Sequence, residues 1–284
     1  MEITRDKNGY IKLDAGDFSV FRTFDCGQCF RFDSVPDGDY DHRVDGVAFG
    51  RDVSFAQRDG ALFIKCTEEE FHSIWKSYLC LDTDYNSINE MIVSCLPEAD
   101  RAHMALAVEA GRGIRILRQD SWEALCSFII SQNNNIPRIK KIIAAMCEKY
   151  GEKTEKGYAF PTPEALYAAG EEEIFALRTG FRAKYIFDAA KKVATGQLDL
   201  GKVAAAESYS EAAELLMSIS GVGPKVAACT LLFGFGRTDA FPVDVWIKKV
   251  IEKRFPRGLD HSLFGENAGI AQQYLFYYER YIGD

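Results

Sequence analysis

The segment Gly-Val-Gly-Pro-Lys at residues 221–225 constrains the fold more than any other part of the chain. Glycine accepts the positive φ of a tight turn, and proline suits a first helical position, where its missing N–H would have no partner anyway. An apolar run follows the proline, so the segment predicts a hairpin that opens a helix over residues 224–235. Lys225 then lies in the first turn of that helix.

The start of a helix has chemical consequences for the residues placed there. Its free N–H groups and partial positive charge attract anions and disfavour an ammonium ion, which inclines a lysine towards the neutral, nucleophilic amine. The hairpin residues Gly221, Val222 and Gly223 offer backbone donors to a phosphate, and both glycines can take a positive φ. One short segment can therefore bind a phosphodiester and present a nucleophile.

Asp244 follows Pro242 and precedes an apolar and basic run, so it is predicted to be the N-cap of the next helix. The helix over 224–235 would be about 18 Å long, and the connection over 236–243 can span at most about 27 Å, so the chain can return to Lys225. An amine beside a carboxylate is what cleavage of a sugar–base bond through an imine requires. The alternative for Asp244 is a cap with no chemical role.

The pattern of apolar and polar residues changes near residues 67–97. Earlier segments alternate apolar and polar residues around the turn signals Pro36-Asp37-Gly38, Asp45-Gly46 and Asp59-Gly60, which predicts an antiparallel sheet. A helix is predicted over 68–79, and later residues show helical periodicity with N-caps at Asp120 and Thr162. The predicted fold is α+β, with an antiparallel β domain and helical connection over 1–97 packed on a larger all-α domain over 98–284.

The composition is that of an ordinary globular protein, with 47% hydrophobic residues among 284. No apolar run approaches the roughly 20 residues of a membrane span, and the N-terminus does not resemble a signal peptide, so we expect an intracellular, soluble monomer of the cytoplasm or nucleoid. Eight scattered cysteines indicate reduced thiols. Cys26 and Cys29 form the only CxxC pair, so no metal site is expected.

The formal net charge of −8 runs against the basic surface that DNA-binding proteins usually present. Phosphate affinity depends on local potential rather than on the global sum. Basic residues concentrate around the segment Asn133–Asn135, namely Arg112, Arg115, Arg118, Arg138, Lys140 and Lys141. The alternative is a set of solvated helical faces, which the pattern alone does not exclude.

Together, these residues resemble the helix–hairpin–helix and Gly/Pro-Asp motif of the base-excision DNA glycosylases. The match is closest to the 8-oxoguanine DNA glycosylase branch, and it extends from about residue 18 to about residue 280. The matching segments are Gly-Gln-Cys-Phe-Arg-Phe at 27–32, Leu-Arg-Gln-Asp at 117–120 and Ser-Phe-Ile-Ile-Ser-Gln-Asn-Asn-Asn-Ile-Pro-Arg-Ile at 127–139.

The resemblance implies a bifunctional DNA repair enzyme that excises 8-oxoguanine opposite cytosine. Lys225 would form a Schiff base with the sugar, Asp244 would stabilise its developing positive charge, and β-elimination would cut the strand. The implied partner is double-stranded DNA containing oxidised guanine. No cofactor is required, and an iron–sulfur cluster is not expected because no cysteine follows Cys229. Resemblance to the wider helix–hairpin–helix class allows a structural monovalent cation, bound by backbone groups, at the hairpin at 221–223.

The resemblance also assigns the residues that handle the base. Gly27, Cys229, Gln272 and Phe276 match the base pocket, where a carbonyl of Gly27 would read the hydrogen on N7 of the lesion. The positions that contact the opposite base or act as a wedge are Asn133, Arg138, Phe181 and Arg182. Trp246 departs from the family, since many relatives have there a histidine that contacts phosphate.

Two other functions remain open at this point. One is a related glycosylase for another damaged purine, such as an alkylated base. The other is a damaged-DNA-binding module without catalysis, in which the hairpin only binds phosphate. Cys229 and Phe276 also have an alternative as core residues, and on their own Phe181 would be a core residue and Arg182 a surface one.

Overall fold

The computed structural model describes residues 2–283. One antiparallel sheet forms the N-terminal part, with the strand order β1-β2-β6-β5-β4-β3. Its strands are β1 (Ile3–Arg5), β2 (Ile11–Asp14), β3 (Phe32–Ser34), β4 (His42–Ala48), β5 (Arg51–Arg58) and β6 (Ala61–Ile64).

The turns of the sheet follow the sequence signals in two of three places. Asp59 and Gly60, with φ of 51° and 77°, form the two-residue β5–β6 hairpin, and Gly38 lies in the turn between β3 and β4. The turn predicted at Asp45-Gly46 is wrong, because both residues lie inside β4. A Cβ on Gly46 would come within 2.5 Å of the Phe32 ring, so this glycine serves close packing.

Helices make up most of the remaining chain. They are α1 (Val20–Phe24), α2 (Glu68–Glu70), α3 (Lys76–Tyr78), α4 (Tyr85–Ser94), α5 (Glu98–Gly111), α6 (Ser121–Ser131), α7 (Ile136–Tyr150), α8 (Pro163–Ala169), α9 (Glu171–Ile174), α10 (Ala183–Ala194), α11 (Leu200–Ala205), α12 (Tyr209–Met217), α13 (Pro224–Gly234), α14 (Val245–Arg254) and α15 (Ala268–Tyr281). A π-helical stretch, Phe71–Trp75, joins α2 to α3, so the helix predicted over 68–79 is confirmed as one helical path. The N-caps predicted at Asp120 and Thr162 are confirmed as well.

Two large hydrophobic cores lie under these elements, and a third, small cluster contains Tyr10, Tyr40, Ala56 and Phe63. The sheet core contains Phe55 and also Trp75 from the π-helical stretch, whereas the larger core fills the helical part. Tyr85 and Ile92 of α4 belong to the larger core, although α4 precedes residue 97. The division into units at residues 97 and 98 therefore remains a proposal. No helix within residues 2–283 is long and apolar enough to cross a membrane.

The two parts are joined by a buried glutamine that also fixes the position of Gly27. Gln28 is 1% exposed, and its side-chain amide donates to the carbonyls of Thr23 and Arg115, both at 2.8 Å. Its side-chain oxygen accepts from the N–H of Leu117 at 2.8 Å. The loop before β3 is thereby attached to the segment that leads into α6.

Candidate active site

A cavity of about 630 Å³ opens between the helical part and the loop before β3. Its walls come from distant parts of the chain, which the fold brings together. The lining residues lie in the segments 26–30, 128–139, 225–233, 242–246 and 272–280. The predicted residues Gly27, Asn133, Lys225, Cys229, Asp244, Gln272 and Phe276 are all among them.

Lys225 is the second residue of α13, and its side chain is half-buried. Close packing of α13 on α6 holds this helix in place, since a Cβ on Gly234 would lie 2.8 Å from that of Ala124. As a result, Phe128 of α6 lies beneath the lysine, with Nζ 5.5 Å from the centre of the phenyl ring. The amine is therefore held over an apolar surface at the cavity wall.

The hairpin before α13 has the predicted turn with one correction. Gly221 has a φ of +76°, but Gly223 has a φ of −101° and is the extended N-cap of α13. A Cβ on Gly221 would lie 2.4 Å from ring carbons of Tyr185, whereas nothing lies within 4 Å of one on Gly223. Only Gly221 thus requires glycine for its conformation, and Gly223 leaves an open surface.

Three residues on one face of α10 hold the hairpin, and the sequence did not single them out. Besides Tyr185, Asp188 accepts from the N–H of Ser220 at 2.7 Å, and Lys192 donates to the carbonyl of Ser218 at 2.6 Å. Lys192 and Asp188 also pair with each other at 2.8 Å. Their spacing of three and four residues is compatible with one helical face. Nothing in the local sequence, however, indicates that this face contacts the hairpin.

Asp244 is the N-cap of α14, as predicted. Its Oδ1 accepts from the N–H groups of Trp246 and Ile247 at 3.0 and 2.9 Å, so the carboxylate has a fixed direction. Burial raises the pKa of the Cys229 thiol, the amine of Lys225 opposes this shift, and the charge of Asp244 adds to it. The amine, the thiol and the carboxylate line the same cavity.

Gly27 lines the cavity as part of the loop before β3 and has a φ of +77°. Beside it, the carbonyl of Cys26 accepts from Nε2 of Gln273 at 2.9 Å. A Cβ on Gly27 would lie 3.8 Å from the Phe276 ring and 3.7 Å from Ile136. The backbone at this point is rigidly held, and its bare face is directed at the aromatic wall.

The other predicted pocket residues line the same cavity. Gln272 is 5% exposed, and its side-chain oxygen has no hydrogen-bond partner within residues 2–283. Such an amide is poorly satisfied without a ligand, because a buried polar atom normally has a partner. Phe276 is half-buried, and Cys229 is 5% exposed. The pocket combines two packing surfaces with one unsatisfied polar group.

The residues predicted for the opposite base lie around the loop between α6 and α7. Asn133 is exposed and has a φ of +47°, while Asn135 caps α7 through the N–H of Arg138 at 3.0 Å. Arg138 is exposed and donates to the carbonyl of Arg178 at 3.1 Å. Phe181 is 49% exposed, so its alternative as a core residue does not apply.

Arg182 is not the surface residue that its sequence context suggests, since it is 2% exposed. It donates to the carbonyls of Gln132, at 2.8 Å from Nε, and of Asn133, at 2.8 Å from Nη2. Its Nη1 reaches the carbonyl of Thr179 at 3.1 Å, and its guanidinium carbon is 4.4 Å from the centre of the Phe181 ring. Burial, followed by the charge of Arg138, lowers the pKa of Arg182. This arginine holds the asparagine loop through its backbone.

Some of the basic residues expected to form a positive surface around the asparagines are instead buried or paired with carboxylates. Arg115 is 6% exposed, pairs with Asp17 at 2.5 Å and stacks on Tyr85. Lys140 pairs with Asp33 at 2.8 Å. Trp246 lines the cavity, and Nζ of Lys249 is 5.3 Å from its ring centre.

The cysteines carry no sign of metal chemistry. All eight are free thiols, and burial raises the pKa of both Cys26, to about 12, and Cys29. Within residues 2–283, no group of three or more His, Cys, Asp or Glu side chains could hold a metal ion.

The helical part and its hairpin define the class of protein. Residues 126–257 match the model of the HhH-GPD superfamily of base excision DNA repair proteins. Residues 10–125 match that of the N-terminal domain of 8-oxoguanine DNA glycosylases. The chain belongs to the 8-oxoguanine DNA glycosylase family of this superfamily. The predicted family and fold class are thereby confirmed.

Individual relatives agree with this assignment. The N-glycosylase/DNA lyase of Saccharomyces cerevisiae is 37% identical over 166 residues, which are 53% of this chain and 44% of that protein. The structure of MBOgg1 with a low-affinity DNA ligand is 40% identical, covers 100% of both chains and gives a TM-score of 0.89. That of the Clostridium acetobutylicum 8-oxoguanine glycosylase/lyase, with DNA containing cytosine opposite 8-oxoG, is 36% identical over 99% of this chain and 98% of that one, with a TM-score of 0.87.

Proposed function

We propose that this protein is a DNA N-glycosylase and AP lyase that excises 8-oxoguanine from double-stranded DNA. The observation that carries the proposal is one cavity that is lined by Lys225 and Asp244 and also by Gly27, Gln272 and Phe276. The amine and the carboxylate would act on the sugar of a bound nucleotide, while the polar and aromatic groups would contact its base.

The target nucleotide must leave the duplex to reach this cavity, at a cost of a few kcal/mol for unstacking. Phe181 is exposed and suited to fill the space that the nucleotide leaves. Asn133 and Arg138 would supply polar groups for the abandoned base. Nη1 of Arg182 donates one of its two hydrogens to Thr179, and the second would serve the same purpose. We propose cytosine as that base.

The hairpin would hold the DNA backbone during this step. The N–H groups of Gly221 and Gly223 lie where a helix begins and would bind a phosphate, and glycine at 223 leaves room for it to approach. Val222, between them, would border the phosphate, but its own N–H is bonded to the carbonyl of Ile219. The carbonyls of Ser218 and Ile219 already accept from Lys192 and from the N–H of Val222. A monovalent cation at the hairpin remains a proposal, and no step of the reaction uses it.

The chemistry begins with attack of Nζ of Lys225 on C1′ of the flipped nucleotide. The bond between C1′ and the base breaks, its electron pair leaves with the base, and the base takes up a proton. Asp244 stabilises the positive charge that develops on the sugar. Loss of a proton from the amine and opening of the sugar give a Schiff base, and removal of a proton from C2′ then expels the 3′ phosphate by β-elimination.

Specificity for the lesion would arise from the residues that we propose to contact the base. Oxidised guanine has a hydrogen on N7, whereas guanine has an acceptor lone pair there. A carbonyl of Gly27 would accept from the lesion and repel guanine. Gln272 would pair with the Watson–Crick edge, and Cys229 and Phe276 would enclose the two faces of the base. We further propose that the protein acts as a monomer.

Borohydride trapping tests this proposal, because it reduces the Schiff base to a stable covalent bond. Wild type, Lys225→Gln and Lys184→Gln would be compared at saturating enzyme on duplexes with 8-oxoguanine opposite each of the four bases. Lys184 is the matched control, since it is also the second residue of its helix but is exposed and lies outside the cavity lining. We expect trapping and strand cleavage with wild type and Lys184→Gln, fastest opposite cytosine, and neither with Lys225→Gln.

Other results would support the alternatives. Trapping by Lys225→Gln would remove this lysine from the mechanism. Release of alkylated purines without release of 8-oxoguanine would indicate a glycosylase of other specificity. Tight binding of lesion DNA without any turnover would indicate a non-catalytic binding module.

A further inference from the structure

Arg280 lies near the end of α15 and lines the cavity close to Gly27 and Phe276. Its guanidinium carbon is 5.5 Å from the centre of the Phe276 ring and 5.2 Å from that of Tyr281. A Cβ on Gly27 would have Nη1 of Arg280 among its nearest atoms, at 3.7 Å. The guanidinium therefore borders the bare face of Gly27, next to the aromatic wall.

The donors of this guanidinium are unused. Within residues 2–283, Arg280 forms no ion pair and donates no hydrogen bond, and its side chain is half-buried. By contrast, Arg182 donates to the carbonyls of Gln132 and Asn133, and Arg138 donates to the carbonyl of Arg178. An arginine remains charged in proteins and can only donate, so Arg280 is matched to an acceptor that the folded chain does not supply.

A flipped oxidised purine supplies that acceptor. The oxygen at C8 is bonded to the ring atom next to N7, and guanine has only a C–H at this position. If a carbonyl of Gly27 accepts from N7–H, the C8 oxygen lies on the same side of the pocket. Among the described residues, two cationic side chains line this cavity. One is Lys225, which we propose to attack the sugar, and the other is Arg280.

We propose that Arg280 is a specificity-determining residue that donates a hydrogen bond to the C8 oxygen of the flipped base. The proposal rests on the proposed function and adds a second reader of the lesion: Gly27 detects the hydrogen on N7, and Arg280 detects the oxygen beside it. A charge-assisted hydrogen bond in a half-buried pocket corresponds to a rate effect of about tenfold or more.

The test replaces the acceptor on the base and the donor on the protein together. 8-Thioguanine keeps the hydrogen on N7 but has sulfur, a weak acceptor, in place of the oxygen. Single-turnover excision rates would be measured on both lesions opposite cytosine for wild type, Arg280→Met and Arg280→Lys. Methionine retains an unbranched apolar chain beside Phe276, and lysine retains the charge.

We expect wild type to prefer 8-oxoguanine over 8-thioguanine by about tenfold or more, and Arg280→Met to reduce this ratio to near one. Arg280→Lys should retain part of the preference, because an ammonium can also donate. The change should lie in the rate on the oxygen-containing lesion, with the rate on the sulfur-containing one nearly constant.

Two results would overturn the proposal while leaving the proposed function intact. An unchanged ratio in Arg280→Met, with wild type active, would mean that the arginine only supports Phe276. An equal loss on both lesions, with the salt dependence of binding reduced by about one phosphate contact, would assign the arginine to the DNA backbone. Absence of excision by wild type on either lesion would refute the proposed function, and this inference with it.

Discussion

Substitution of each of the two hairpin glycines by alanine would distinguish the need for a positive φ and close packing at Gly221 from the need for open space at Gly223. At Gly221 the new methyl group would meet the Tyr185 ring at 2.4 Å, in a backbone with a φ of +76°. At Gly223 the φ is −101°, and nothing lies within 4 Å of the new methyl group. The first variant should therefore lose stability, and the second should keep it.

The magnitude for Gly221→Ala follows from three contributions. The left-handed backbone costs about 1–2 kcal/mol for an alanine, displacement of the packed ring costs about 1–3 kcal/mol, and the less flexible unfolded chain returns about 0.4–1 kcal/mol. The free energy of unfolding should fall by about 2–4 kcal/mol. For 284 residues the entropy of unfolding is about 0.6 kcal/mol/K, so Tm should fall by about 3–7 °C.

Urea denaturation followed by circular dichroism would measure the stability of both variants, and fluorescence anisotropy would measure DNA binding. We expect Gly223→Ala to stay within about 1 kcal/mol of wild type, since alanine is a poorer N-cap than glycine but by no more than about 1 kcal/mol. Its methyl group, however, lies where a phosphate should approach, so its affinity for DNA should fall. Equal stability of the two variants would refute the packing argument, and full DNA affinity of Gly223→Ala would refute the phosphate site.

Two further predictions concern single carboxyl groups. Asp244→Asn keeps an oxygen that can cap α14, so we expect stability within about 1 kcal/mol of wild type but single-turnover excision slower by at least about tenfold; equal excision rates would remove Asp244 from the chemistry. Burial, opposed by Arg31 at 3.0 Å, raises the pKa of Glu123 above its ordinary 4.5, so the native state holds a proton that the unfolded chain has lost. Urea denaturation should therefore show that the free energy of unfolding of wild type falls relative to that of Glu123→Gln as the pH rises above 4.5. A rise of the wild-type value relative to that of the variant over the same range would contradict the raised pKa.

Local features of the site were readable from the sequence. Pro224 marks the start of α13, and Asp244 caps α14, because both positions depend on the backbone groups of the next few residues. The left-handed turn at Gly221 follows for the same reason. Gly223 was misjudged because two glycines in one hairpin do not both need a positive φ, and its role is to leave space.

Features that depend on distant contacts were not readable. Asp45-Gly46 has the composition of a turn, but pairing with β5 and packing on Phe32 override that local preference. Arg182 and Arg115 are charged and would be assigned to the surface, yet carbonyls or a carboxylate from elsewhere in the chain satisfy them when buried. Arg280 carries no sequence signal, because its meaning comes from its proximity to Gly27, which is more than 250 residues away in the chain.

The ring of Tyr185 is shared by two segments that we propose to contact DNA, the hairpin at Gly221 and the exposed Phe181. It supports Gly221 of the hairpin from below, and its centre lies 6.0 Å from that of the exposed Phe181 ring, at 75°. A lateral shift of either segment must move the same phenol, so the two cannot relax independently. The spacing between the hairpin and Phe181 is therefore fixed by one side chain. In the proposed complex, this side chain would set the distance between the bound phosphate and the base step that Phe181 enters.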